Sequence, residues 1–255
     1  MVTWVEKSFS FVKQGGYLDK LAEIYPAPPL TPRSLNKSEY DKIKEAFKKD
    51  DFNLLKALLE IKKFPFNDPY IGFLRIMPEE INNNPLTVKR IAVRLREMGL
   101  NGVVAGLVEP KQFNRQMGAM FSKWIKTKYV CAHAPEEFIK RSEDILFFDV
   151  SGEKLRLFAN EQGCGIQKQP DFIAKTKGRY ILGEAKFLGT EGGNQNRAFE
   201  DAIKLASSSF KNAVTVAVID GIAWIPDSGQ MSKRLGNFSG NALTALLLDE
   251  FLNSL

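Results

Sequence analysis

The chain has a single histidine, His133, and two cysteines, Cys131 and Cys164, among 255 residues. One histidine excludes a multi-histidine metal centre. Cys131-Ala132-His133 supplies too few ligands for a structural zinc and reads as a buried thiol beside a helix-start histidine. Two cysteines build no disulfide framework and fit a reducing cytoplasm. No apolar run approaches the roughly 20 residues that a membrane helix needs. The opening "MVTWVEKSFSF" lacks a long apolar stretch and a small-residue cleavage site, so no secretory signal is expected. Internal repeats and low-complexity tracts are also missing. What is present is a soluble, globular composition, 44% hydrophobic and 26% charged.

Acids are slightly outnumbered: 36 Lys and Arg face 30 Asp and Glu, a net charge of +6. That is a moderate bias toward polyanions. Lys111, Arg115, Lys123, Lys126 and Lys128 follow one another with no acid between. Lys89, Arg90, Arg94 and Arg96 gather in "PLTVKRIAVRLREMG". Each group reads as a solvated helix face, and two such faces favour phosphate contacts.

The first third reads as helical. "SEYDKIKEAFKK" suggests a start at Ser38 with Asp41 three residues on. "DDFNLLKALLEIKK" follows, capped by Asp50 or Asp51. In "NNNPLTVKRIAVRLREMGL", Asn84 is the expected cap, Pro85 suits the first turn and Gly99 ends the helix. "PKQFNRQMGAMFSKWIKTKYV" reads as another helix, as does the stretch from Pro135. Strand-like runs then appear: 145–150, "CGIQKQPDFIAK", "YILGEAKFL" and "AVTVAVID". Helices are expected in "GEKLRLFANEQG", "NRAFEDAIKLASSSF" and "NALTALLLDEFLNSL". Asp220-Gly221 reads as a hairpin turn into "IAWIP", and "DSGQMSKRLGNFSG" as a polar, basic loop. This order predicts an α/β fold with a central mixed sheet flanked by helices.

One stretch carries chemistry. In "PDFIAKTKGRYILGEAKF", a turn at Lys177-Gly178 pairs two strands and brings Asp171 alongside Glu184. Residues two apart share a strand face, so Glu184 and Lys186 project together while Ala185 points away. Two close carboxylates repel unless a cation lies between them. Hard divalent cations such as Mg²⁺ take oxygen ligands and keep several waters, and a nearby lysine orients or deprotonates a bound water. The bland alternative is a strand pair with solvated charges on its wet face.

Pro170-Asp171…Glu184-Ala185-Lys186 resembles the PD-(D/E)xK signature of the restriction-endonuclease-like nuclease superfamily. The "FNRQMG" helix and the loop "GTEGGNQNRAF" look most like a type II restriction endonuclease. The resemblance covers roughly residues 115–225 and implies a restriction-endonuclease-like catalytic core over 111–255. Residues 1–110 carry no signature; they read as a mainly helical region, for DNA binding or dimerisation. It implies a cytoplasmic homodimer acting on double-stranded DNA with Mg²⁺, leaving 5′-phosphate and 3′-hydroxyl ends. Asp171 and Glu184 would be metal ligands, the Ala185 carbonyl a further one, and Lys186 would act on the attacking water.

One departure concerns a helical glutamate that many such enzymes add to the metal site. The matching face here carries Ser122 and no acid. Glu161 is the alternative, and it reads equally as an exposed helix-end residue. Gln167 and Lys168 are candidates to approach the scissile phosphate, or a solvated strand end. Asn194, Gln195, Asn196 and Arg197 are candidates to read bases or touch phosphate, although capping alone explains Asn194. Arg115 and Gln116, and Lys233 and Arg234, are further DNA candidates. Two other functions compete: a repair or recombination nuclease that acts on DNA structure, and a non-catalytic regulator reading DNA with "PLTVKRIAVRLREMGLNG".

Overall fold

The computed structural model describes residues 2–26, 32–110 and 116–255. The chain divides into two compact units, Met1–Ala27 with Gln112–Leu255, and Pro28–Lys111. The sequence suggests one boundary, at 110; a second lies near 27. Helices α1 (Trp4–Lys13) and α2 (Tyr17–Ile24) place Val5, Tyr17, Leu21 and Ile24 in the same apolar core as the sheet strands described below. The first 27 residues therefore belong with the later part of the chain, not with the helices that follow them.

The inserted unit is all-helical: α3 (Lys37–Lys49), α4 (Asp51–Leu59), α5 (Ile71–Ile76), α6 (Glu80–Asn83) and α7 (Pro85–Val108). The cap of α3 is Asn36, which forms a reciprocal capping box with Glu39, so the helix starts before the expected Ser38. Asp50 caps α4 by accepting from the Asn53 N–H at 2.8 Å. Pro85 opens α7 and Asn84 is its N-cap residue, as expected, but its side chain makes no capping bond; its amide donates to Glu80 instead. Gly99, at φ 65° and ψ 169°, bends the chain without ending it, and helix resumes to Val108. Ile43, Leu54, Leu55, Leu58, Ile91 and Leu95 fill the core.

The arginines of α7 are engaged within this unit. Arg90 forks onto Asp68 at 2.6 and 3.1 Å, Arg94 stacks on Phe66, and Arg96 binds Asp51 at 2.9 Å. The charged face that suggested phosphate contacts thus tethers α7 to its own neighbours.

The other unit holds the sheet. In chain order come α8 (Met117–Lys128), β1 (Val130–Ala132), α9 (Pro135–Lys140), β2 (Ile145–Phe148), α10 (Gly152–Glu161), β3 (Phe172–Thr176) and β4 (Arg179–Leu188). Then follow α11 (Gly193–Ala206), β5 (Ala213–Gly221), α12 (Gln230–Gly236), β6 (Ala242–Leu243) and α13 (Leu248–Ser254). The six strands lie side by side in chain order. β1–β2 and β4–β5–β6 pair in parallel, and β2–β3–β4 antiparallel. This is the mixed sheet flanked by helices that the sequence predicts. Strand alternation divides its faces: Ile181 packs with Phe121, Phe199 and Ile203, whereas Leu182 packs with Phe138, Leu155 and Phe158.

Two expectations fail here. Asp220-Gly221 is no hairpin turn: β5 runs through both residues into a short 3-10 helix, Ile222–Trp224. Asp220 is wholly buried and accepts from Tyr25 Oη at 2.8 Å, Tyr17 Oη at 3.2 Å, Thr244 Oγ1 at 2.5 Å and the Ala245 N–H at 3.2 Å. Residues 230–236 form α12 where a loop was expected. Their helix is stabilised from afar, since Glu191 Oε1 accepts from the Met231 N–H at 2.8 Å at its first turn.

Candidate active site

The hairpin β3–β4 turns on Lys177 and Gly178, both at positive φ (45° and 80°), the conformation of the tightest two-residue hairpin loops. The register runs from Thr176 opposite Arg179 to Phe172 opposite Gly183. One step further, the Asp171 N–H donates to the Gly183 carbonyl at 2.9 Å. Asp171 thereby lies beside the chemistry-bearing end of β4. Gly183 is required: a Cβ there would meet the Phe172 ring at 1.9 Å.

Three side chains close on one another. Asp171 Oδ2 accepts from the Ala185 N–H at 2.9 Å and from Lys186 Nζ at 2.6 Å. The same ammonium lies 2.9 Å from Glu184 Oε1. Glu184 is only 2% exposed, unusual for a carboxylate, and both its cationic contacts are lysines. The second is Lys168, whose Nζ is 2.5 Å from Glu184 Oε1 and 3.1 Å from Asp201 Oδ2 on α11. Burial alone would lower the Lys186 ammonium; the charges of Asp171 and Glu184 outweigh it and hold it above the usual lysine range. Lys168 is balanced the same way, burial against its bonds to Glu184 and Asp201, with a net rise. The Lys168 hydrogen bond holds Asp201 below the ordinary carboxylate range.

Two clefts open at this end of the sheet. One, of about 440 Å³, is lined by Asp171, Ala185, Lys186, Asn194 and Gln195 among others. The second, of about 320 Å³, is lined by Gln167, Lys168, Glu184 and Asp201. The motif strand thus presents its charges to both.

The remaining sequence candidates fall in different places. Glu161 is exposed at the end of α10, and no recorded bond links it to Asp171 or Glu184. Among the described residues no group of three or more His, Cys, Asp and Glu is arranged to hold a metal. A cation here would have the two carboxylates, a backbone carbonyl and water, which suits Mg²⁺, a cation that keeps several waters. Gln167 is exposed along the second cleft. The cap of α11 is Gly192, not Asn194. Gln195 Oε1 accepts from the Gly189 N–H at 3.2 Å and Asn196 Oδ1 from the Gly192 N–H at 2.8 Å, so both brace the glycine loop. Arg197 is exposed on α11, and Lys233 and Arg234 on α12. Gln116 begins α8, its carbonyl accepting from the Met120 N–H, and Arg115 lies outside the described residues. The residue that sequence reasoning missed is Asp201. No local signal marked it, because its contact with Lys168 arises only where α11 packs against β4.

A six-stranded mixed sheet flanked by helices is the architecture of the restriction-endonuclease-like class. The chain belongs to the Tsp45I type II restriction enzyme family, whose model matches residues 2–255. No curated protein and no solved structure matches it. It is a site-specific DNA endonuclease, and membership over nearly the whole chain sets aside both the repair nuclease and the non-catalytic regulator. No helix among the described residues is long and apolar enough to cross a membrane.

Proposed function

We propose that the chain cuts double-stranded DNA with Mg²⁺ through Asp171, Glu184 and Lys186, leaving 5′-phosphate and 3′-hydroxyl ends. The observation that carries this is the contact of Lys186 Nζ with both carboxylates, 2.6 Å from Asp171 and 2.9 Å from Glu184. Asp171 and Glu184 would hold the metal. The Ala185 carbonyl joins them because, in an extended strand, the N–H and C=O of one residue leave on the same side, and the Ala185 N–H points to Asp171. When bound, Mg²⁺ supplies Lewis acidity toward the phosphate and makes a water more acidic. Lys186, held as an ammonium, donates to the attacking water or to a phosphate oxygen and stabilises developing charge. Asp171, anchored by two backbone bonds, keeps that ammonium in place.

One site per chain cuts one strand, so cutting both strands calls for a homodimer. DNA contacts are assigned to Asn194 and Gln195 at the first cleft, to Arg115, Gln116 and Arg197, and to Lys233 and Arg234 on α12. With the oxygens of Gln195 and Asn196 occupied by the loop, their NH₂ ends remain to read acceptors on purines. Gln167 faces the strand path along the second cleft. The inserted helical unit serves DNA binding or dimerisation, and the cytoplasm is the expected compartment.

The test is digestion of a sequenced duplex with Mg²⁺, followed by mapping of the ends. Discrete fragments sharing one short terminal sequence are expected. Asp171→Ala and Lys186→Ala should abolish them while retaining sequence-specific binding in Ca²⁺. Turnover that survives in either variant refutes the site.

A further inference from the structure

Lys168 plays no part in the reaction just described, yet it makes the shortest ionic contact to the most deeply buried acid of the site. Its Nζ is 2.5 Å from Glu184 Oε1, and its side chain is 56% exposed while that of Glu184 is 2% exposed. A water-accessible lysine thus reaches inward to neutralise a buried carboxylate. The same Nζ is 3.1 Å from Asp201 Oδ2, whose side chain is 40% exposed. Lys168 therefore stands between two carboxylates, one at the reacting centre and one on α11 nearer to solvent.

A buried carboxylate without a countercharge is costly. Glu184 also touches Lys186, but Lys186 is shared with Asp171. With both lysines in place, the formal charges of Asp171, Glu184, Asp201, Lys168 and Lys186 sum to −1. A divalent cation entering beside Glu184 meets two ammonium groups already on that carboxylate, and like charges at such separations repel strongly. Lys186, on leaving Glu184, would still be held on Asp171, the other proposed metal ligand. Lys168 can move clear of the metal, because its second partner, Asp201, lies on α11 and is not one of the proposed ligands.

We propose that Lys168 is a displaceable internal cation that occupies the Glu184 carboxylate until a divalent metal replaces it, and that Asp201 is the positioning residue that receives it. This rests on the reading of Asp171 and Glu184 as metal ligands. Lys168 makes the metal-free site electrostatically complete and sets how readily the metal enters. Asp201 lowers the cost of exchange by keeping Lys168 paired after it leaves Glu184.

The experiment is calorimetric titration of the full chain with Ca²⁺, without DNA, so that the readout is metal affinity and not cleavage. Lys168→Met should bind Ca²⁺ about tenfold more tightly than the unmodified protein, because one competing charge is gone. Lys168→Arg, which keeps the charge, should return the affinity to that of the unmodified protein. Asp201→Asn should weaken binding several-fold, since Lys168 then has no second partner. Thermal melting in metal-free buffer checks that each variant unfolds cooperatively, and Lys168→Met should melt lower there yet gain more from added Ca²⁺. Equal or weaker binding by Lys168→Met overturns the proposal, as does unchanged affinity in Asp201→Asn. Glu184→Gln separates the two levels: if it binds Ca²⁺ as well as the unmodified protein, the metal-ligand reading itself falls.

Discussion

Adjacent strands of one sheet bury two carboxylates and treat them in opposite ways. Asp220 on β5 is wholly enclosed and held by three hydroxyls and one backbone N–H. Glu184 on β4 is nearly as buried, but its partners are two lysine ammoniums, one of them largely in water. Neutral donors fixed in a core satisfy a carboxyl permanently. Ammonium groups at the edge of a cleft satisfy it by charge, and under the proposal above one of them gives way to a metal. Burial alone therefore does not distinguish the two acids; the kind of partner does.

The contrast breaks most visibly if each acid is removed in turn. Glu184→Ala should lower the cleavage rate by about 10³-fold or more, while urea denaturation shifts stability by no more than about 1 kcal/mol because both lysines regain water or their other acids. Asp220→Ala should do the reverse. It leaves Tyr17, Tyr25, Thr244 and the Ala245 N–H without their acceptor, costing about 3 kcal/mol or more in urea denaturation. The fraction that stays folded should cleave normally.

A smaller effect is expected where the two strands of the site face each other, at Gly183 opposite Phe172. Gly183→Ala drives a methyl into the Phe172 ring and should cost about 1–3 kcal/mol. Because Gly183 also accepts from Asp171, cleavage should fall with it. A variant as stable and as active as the parent would show that the ring has room to move.

The pH dependence sharpens the comparison further. Burial pushes the Asp220 carboxyl up, against the downward pull of Thr244, Tyr25, Ala245 and Tyr17. A raised carboxyl adds stability that is fully present below the ordinary aspartate value, about 3.9, and is lost as pH climbs through the raised folded value. The advantage of the parent over Asp220→Asn should therefore shrink in urea melts as pH rises above about 4; a growing advantage would contradict the assignment. Least of all should change in Arg94→Ala. It removes a stacking contact on Phe66 and should cost about 0.5–1 kcal/mol with no loss of cleavage.

The hairpin of the site was legible because its signals are local. Alternation fixes which side chains of β4 share a face, and Lys177-Gly178 fixes the register that places Asp171 opposite Glu184. Asp201 and the double pairing of Lys168 were not legible, because they arise where α11 folds back on β4 and no local period encodes that contact. Asp220-Gly221 was misread because Asp-Gly is a strong turn signal. Its true partners lie up to 203 residues away. The short, polar α12 was missed for a similar reason: the carboxylate at its start comes from Glu191, 40 residues earlier. The arginines of α7 looked like a phosphate-binding face because sequence shows charge but not the Asp51, Phe66 and Asp68 that answer it.

The knot around Asp220 also has a consequence in time. Tyr17, Asp220 and Thr244 come from distant parts of the chain, and Ser8 Oγ lies 3.2 Å from the Thr244 nitrogen across 236 residues of sequence. The sheet unit can close only after both of its sequence segments exist, with the whole helical insertion looped out between them. Closing so long a loop is slow in comparison with local pairing. The helical insertion, whose contacts are nearer in sequence, can fold first. The β3–β4 hairpin forms within 17 residues, yet the core that supports it matures last, so a chain still emerging from the ribosome carries Asp171, Glu184 and Lys186 before it has the framework that holds them together.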